Sequence, residues 1–366
     1  MEKFAFILHP LAAKDFGRKF SICQRLPDGV IEGIIRHVPS FKASHITGIQ
    51  SAHAEAEGWF MACPLTTRQM IELPEELVLK KIIQAGKAAE KLGAKIVGLG
   101  AFTSIVGDAG ITIAQNLDIA VTTGNSYTVA TALQGTRQAA KVMDVDLRQA
   151  NVLILGATGS IGAACARILG REVRNLTLAA RNEQRLEQLA QELYKESGCS
   201  AKTTSQVKTA VRAADIIIAV TSALDTIIEP EDLKPGAIVC DVARPRNVSR
   251  QVAEKRNDVL VIEGGVVEVP GNVDFGLQFG FPPGTAYACM AETMILALEG
   301  RYEPFTLGRE LSVEQIETIA KLAEKHGFKL AGFRSFERAI TEREIEIIRK
   351  NALQSQQRRV GAREIG

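Results

Sequence analysis

Two hydrophobic rhythms run through this chain, and they change over near residue 150. Up to about residue 146, strand-like and helix-like stretches are mixed. The apolar run that ends at His9 and Pro10 predicts a first strand, and apolar positions at helical spacing predict a helix over 75–92, closed by Gly93. A short strand at 95–99 leads into a loop of small residues at 100–110, and another at 119–122 ends in Thr123-Gly124-Asn125. A long helix is predicted over 126–143, with Ser126 near its N-cap, followed by a polar link at 144–149.

Beyond that link, short apolar runs at 152–155, 176–180, 216–220, 238–242 and 259–262 alternate with helical patterns. Unbroken apolar strands joined by helices imply a parallel sheet covered on both faces. From Thr285 the pattern turns mainly helical, with helices predicted at 286–299 and 312–326 and a polar, frayed end. The expected fold class is therefore α/β. An N-terminal α/β substrate domain covers 1–146, a Rossmann-type, doubly wound parallel sheet covers 147–281, and a helical C-terminal segment covers 282–366.

Composition narrows the partners. A formal net charge of +2, with 23% charged residues, gives no overall basic excess that would call for nucleic acid. No apolar run reaches the roughly 18–20 residues of a membrane-spanning helix, so no integral membrane segment is predicted and a soluble, cytoplasmic protein is expected. The six cysteines are scattered, without a CxxC pair or a histidine at ligand spacing, which predicts free thiols and no metal site. The oligomeric state is left open.

The segment NVLILGATGSIGAACARIL sets a buried strand directly before a glycine turn that runs on into a helix. Gly156, Gly159 and Gly162 divide the work: a tight turn, close approach of backbone to a pyrophosphate, and close packing of helix on strand. The whole turn, Gly156, Ala157, Thr158, Gly159, Ser160, Ile161 and Gly162, is the expected dinucleotide site. An NAD site usually carries an acidic residue at the end of the second strand, yet here Arg181 and Asn182 stand there, with Arg185 one turn later. Guanidinium groups suit a ribose 2′-phosphate, so the expected cofactor is NADPH. A solvated helix face is the plainer reading of Arg185.

A second candidate site surrounds Cys289. The turn Pro282-Pro283-Gly284, with Thr285 as a possible N-cap, puts this thiol early in a helix, where the helix terminus favours a thiolate and Glu292, one turn on, would oppose it. From spacing alone, a cysteine in an Ala- and Met-rich helix reads as a small buried hydrophobe.

Several words in one order change that reading. FAFILHP at the start, GAFTSI at 100–105, TTGNSYTVA at 122–130, GATGSIG at 156–162, AARNEQRL at 179–186, EGGVVE at 263–268 and YACMAE around Cys289 together resemble the long-chain fatty acyl-[acyl-carrier-protein] reductases of cyanobacteria, over about residues 4–330. The resemblance implies that Cys289 takes the acyl group, that NADPH is the reductant, and that the substrate is a thioester of acyl carrier protein or coenzyme A. It implies aldehyde formation by two half-reactions. Asn125 and Ser126, in the turn at a helix N-terminus, are the expected oxyanion donors, with Ser104 a weaker candidate and His9 a possible acid. Lys80, Lys81, Lys87 and Lys91 could meet an acidic carrier. The chain departs from the family pattern at 241–246 and 269–271, and its charged stretch beyond about 335 has no counterpart.

Two other readings keep the cofactor domain. A shikimate- or quinate-dehydrogenase-like enzyme would need a Lys and Asp pair, drawn from Lys80, Lys81, Lys87 and Asp108, and no covalent step. A glutamyl-tRNA reductase would need an N-terminal nucleophile, for which Cys23 and Cys63 are available. A non-catalytic NADP-binding sensor is the reading from another class.

Overall fold

The structure, a computed structural model, describes residues 1–18, 25–223, 226–243, 245–278 and 282–364, the side chains of 359–364 excepted; Cys23 and Arg244 lie outside the described residues. The chain forms two compact units, residues 1–127 with 267–329 and residues 128–266 with 330–366.

The first unit is built on β1 (Glu2–Leu8), β2 (Phe41–Gln50), β3 (Glu55–Ala62), β4 (Ile96–Leu99) and β5 (Ala120–Thr122). With a strand at Gly271–Asp274 they form one sheet in which β1 lies between β3 and β4, β5 follows β4, and β2 separates β3 from Gly271–Asp274. The pairs β1–β3, β1–β4 and β4–β5 are parallel; the pairs involving β2 are antiparallel. Alternation along the strands sorts side chains to two faces. Ala5, Ile7, Val97 and Leu99 join the core formed with Val78, Ile82, Ala85 and Ala89 of the helix Glu75–Lys91. Gly98 faces the helix Ala288–Leu298, since a Cβ there would meet Thr293 Oγ1.

In the second unit, β6 (Asn151–Leu155), β7 (Asn175–Ala179), β8 (Lys202–Thr204), β9 (Ile216–Ala219), β10 (Ile238–Asp241) and β11 (Leu260–Glu263) make an all-parallel sheet. Their order, β8-β7-β6-β9-β10-β11, reverses direction between β6 and β9, the switch point at which doubly wound folds bind ligands. The expected α/β class and Rossmann-type sheet are therefore found. β8 went unpredicted, because Lys-Thr-Thr at a sheet edge carries no apolar run.

Other expectations need correction. The predicted division at 146 and 281 is not where the chain divides: the helix Asn125–Val142 gives its first turn to one unit and its body to the other, and the segment 282–366 is shared between them. Thr285 does not cap the cysteine helix; it lies in a short strand, its hydroxyl donates to the Pro282 carbonyl at 2.7 Å, and Tyr287 occupies the cap position. The polar end, expected to fray, continues as the helix Glu342–Glu364. Buried Ile345 and Ala352 seat it, and Asn351 and Gln356 donate side-chain amide hydrogens to the Asn257 and Pro235 carbonyls.

Candidate active site

The helix Ala288–Leu298 is apolar on every side and buried along its length, as a helix inside a core must be. Cys289 is the exception: among the described cysteines it alone is partly accessible, while Cys63, Cys165, Cys199 and Cys240 are buried. It is the second residue of the helix, whose N-terminus carries no side-chain cap. The turn at residues 122–127 presses against it. Gly124, at φ 74°, holds its backbone so close that a Cβ would lie 2.4 Å from Cys289 Cα and 2.5 Å from its carbonyl oxygen. Only glycine tolerates both that φ and that contact.

One helical turn after Cys289, the carboxylate of Glu292 is fully buried. It does not stand alone. Thr122 Oγ1 donates to it, as do Thr306 Oγ1 at 2.7 Å and the Tyr127 N–H at 2.8 Å, and the Gly124 N–H adds a fourth bond. Burial pushes this carboxyl above its usual range, while the hydrogen bonds pull the other way. Residues 305–306 complete the frame: the Phe305 N–H donates to the Val121 carbonyl and the Thr123 N–H to the Thr306 carbonyl. In the sequence, Glu292 stands out only for its effect on the thiol. The available signal was a lone carboxylate in an otherwise apolar helix, which must find donors wherever the fold buries it.

The expected oxyanion donors are partly revised. Ser126 Oγ lies 2.9 Å from Thr306 Oγ1. Because the single Thr306 proton goes to Glu292, the Ser126 hydroxyl donates to Thr306 and is not available to a substrate. Asn125 is nearly buried, and no described residue hydrogen-bonds its side-chain amide or accepts from the Asn125 or Ser126 N–H. Thr123 Oγ1 is likewise buried without a partner. Ser104 is spent on the Ala101 carbonyl at 2.7 Å. His9 accepts from the Phe102 N–H at Nε2, which places its proton on Nδ1 against the Pro10 carbonyl, and desolvation pushes its pKa down to about 4. It is a neutral, satisfied residue and not an acid.

Residues needed by the rival readings are also accounted for. The Cys63 thiol is fully buried and pushed up to about 12, which makes it a poor nucleophile. Asp108 directs both oxygens to Thr112, and Lys81 turns inward to donate to the Val38 carbonyl at 2.7 Å. Among the described residues no ion pair joins Asp108 to Lys80, Lys81 or Lys87. Lys80, Lys87 and Lys91 are exposed.

In the second unit the glycine turn leaves the carboxyl end of β6 at the switch point. Gly156, at φ 91°, packs against the Val220 carbonyl, and a Cβ on Gly162 would lie 2.4 Å from the Gly156 carbonyl oxygen. Gly159 is the cap of the helix Ser160–Leu169 and supplies no side chain, so the first N–H groups of that helix are left for an anion. Ala157 is buried, Thr158, Ser160 and Ile161 are half-buried, and Gly159 is exposed. The cradle fits a pyrophosphate. At the end of β7, Arg181 and Arg185 are exposed, and neither makes an ion pair among the described residues. Asn182 is committed differently from expectation: its side chain accepts from the Arg185 N–H at 3.0 Å and caps the helix Glu183–Ser197.

Fold and cradle together define a Rossmann-type dinucleotide-binding architecture. The family model described as shikimate / quinate 5-dehydrogenase matches residues 137–263, the part that holds the cradle. Long-chain acyl-[acyl-carrier-protein] reductase of Synechococcus elongatus is 32% identical over 272 residues, 68% of this chain and 75% of that protein. The chain belongs to that reductase family. Aminotransferase PigE of a Serratia strain is 32% identical over 361 residues, and this chain spans 95% of its own length but 42% of PigE. A glutamyl-tRNA reductase of Cyanophora paradoxa is 28% identical over 193 residues, 51% of this chain and 42% of that protein. Among the described residues no helix is long and apolar enough to cross a membrane.

Proposed function

We propose that this chain reduces a long-chain fatty acyl thioester, carried on acyl carrier protein or coenzyme A, to the fatty aldehyde with NADPH, through a thioester on Cys289. The observation that carries the reading is the one accessible described cysteine, set in the first turn of a buried helix with the Gly124 turn packed on its backbone. Kinship with a protein named for acyl-thioester reduction supports it.

In this chemistry Cys289 Sγ attacks the carbonyl carbon, the carbon–sulfur bond to the carrier breaks, and the carrier thiolate leaves and takes a proton. The Asn125 and Ser126 N–H groups and the Asn125 amide donate to the oxygen while it is negative. Residues 156–162 hold the cofactor pyrophosphate, and Arg181 with Arg185 holds the 2′-phosphate. NADPH, when bound, supplies the hydride that takes the acyl group to the aldehyde level. Breaking of the remaining carbon–sulfur bond returns Cys289 as a thiol and frees the aldehyde, with one proton consumed overall.

The test is product analysis. Palmitoyl thioesters of coenzyme A and of acyl carrier protein are incubated with NADPH, and hexadecanal is quantified by gas chromatography. Aldehyde from wild type and none from Cys289→Ala is expected. NADP-linked oxidation of an alcohol such as shikimate, with no turnover of either thioester, would overturn the proposal.

A further inference from the structure

The site contains a group that the acyl-transfer chemistry does not itself require. A fully buried carboxylate in an apolar helix is a burden to the fold unless donors surround it, and a methionine or leucine there would pack without that demand. Of the four donors to Glu292, three come from the turn that presses on Cys289: the Thr122 hydroxyl and the Gly124 and Tyr127 N–H groups. The fourth, from Thr306, belongs to the segment that braces the same turn.

The choice among N–H groups matters most. At the start of the helix Asn125–Val142 the backbone donors stand in a row, and Glu292 takes Gly124 and Tyr127. The two between them, Asn125 and Ser126, donate to no described residue. Any anion offered to this terminus finds the outer donors already used.

Resting on the proposed Cys289 chemistry, we propose that Glu292 is a positioning residue for the acylation step. Its carboxylate fixes the 122–127 turn against Cys289, occupies the Gly124 and Tyr127 N–H groups, and so aims the Asn125 and Ser126 N–H groups at the thioester oxygen. Glu292 touches neither substrate nor cofactor. Its effect is to make the donors rigid before the oxyanion forms, where preorganisation counts most.

The experiment compares two single-turnover rates without NADPH, in wild type, Glu292→Gln and Glu292→Met. One is acylation by palmitoyl-coenzyme A. The other is alkylation of Cys289 by iodoacetamide, which develops no oxyanion. Gln keeps the shape and one acceptor for the Tyr127 N–H, whereas Met keeps neither acceptor. The expected result is graded: acylation slowed about 10-fold in Gln and about 100-fold or more in Met, the scale of losing oxyanion donors, with alkylation and NADPH affinity undiminished. Two results would overturn the assignment: unchanged acylation in both variants, or acylation and alkylation falling together, which marks a merely structural role. Should Met fail to fold, Gln alone decides by the same criterion. An acyl adduct absent from wild type itself would sink the thioester reading, and this inference with it; a wild-type adduct with unaffected variants sinks only the role of Glu292.

Discussion

Two turns in this molecule share one plan and differ in charge. At 122–127 and at 156–162 a buried parallel strand ends, a glycine with positive φ reverses the chain, and a helix begins. Such a terminus presents N–H groups and a partial positive charge, and attracts anions. The first turn is already served: Glu292 accepts from Gly124 and Tyr127, and the Cys289 backbone fills the space beside Gly124. The second has no side-chain cap and an exposed Gly159. Identical backbone logic therefore yields an open anion cradle in one unit and an internally neutralised donor pair in the other. On the proposed chemistry the open turn suits a permanent charge, the pyrophosphate, while the filled one suits an oxygen that is negative only in passing.

Substitutions can separate the two turns. The largest effect is expected from Cys289→Ala, which should lower aldehyde formation by about 10³-fold or more while leaving NADPH binding, followed by fluorescence titration, unchanged. Next come the glycines. Gly162→Val drives a side chain into the Gly156 carbonyl and should weaken NADPH binding about 100-fold without touching acylation of Cys289. Gly124→Ala should do the reverse, because its Cβ would meet Cys289 at φ 74° and strain of about 1–3 kcal/mol falls on the first turn alone. Loss of both functions in either glycine variant would erase the distinction. A smaller effect is expected from Arg181→Ala: KM for NADPH should rise about 10-fold and KM for NADH should stay put, the cost of one charge-assisted contact to phosphate.

The smallest effect concerns His9, which follows β1 and belongs to neither turn. Its folded pKa, near 4, lies below the usual value of 6.5, so the unfolded chain binds the extra proton first as pH falls. The stability it contributes is complete above pH 6.5 and is lost progressively toward pH 4, by up to about 3 kcal/mol. Denaturant midpoints measured from pH 7 to 4 should fall less steeply in His9→Asn than in wild type, and aldehyde formation at neutral pH should survive, since His9 is not the acid.

Much of the fold was legible because it is written in local runs. The strands β6, β7, β9, β10 and β11 lie within a residue or so of their predicted positions, each a short apolar stretch bounded by turns, and the helix Val313–His326 begins at Ser312 with Gln315 reaching back to it. The glycine cradle was legible for the same reason. What escaped depends on partners far apart in sequence. Glu292 finds Thr122 and Tyr127 more than 160 residues away, and no pattern near position 292 names them. One family departure and the unmatched C-terminal stretch are linked in the same manner: Arg246 pairs with Glu263 and Glu337 and lies over the Phe336 ring, so segment 241–246 and the C-terminal stretch hold one another. Caps were misjudged where a hydroxyl had a choice, as with Thr285 and the Pro282 carbonyl.

In the proposed chemistry an acyl group passes through Cys289. Intact-protein mass spectrometry after incubation with a long-chain acyl thioester, in the absence of NADPH, reads that event directly. A mass gain equal to the acyl group, absent from Cys289→Ala and discharged as aldehyde when NADPH is added, is the predicted result. No adduct on any cysteine, in protein shown to bind NADPH, would contradict the account and return the chain to direct hydride transfer on an alcohol or ketone.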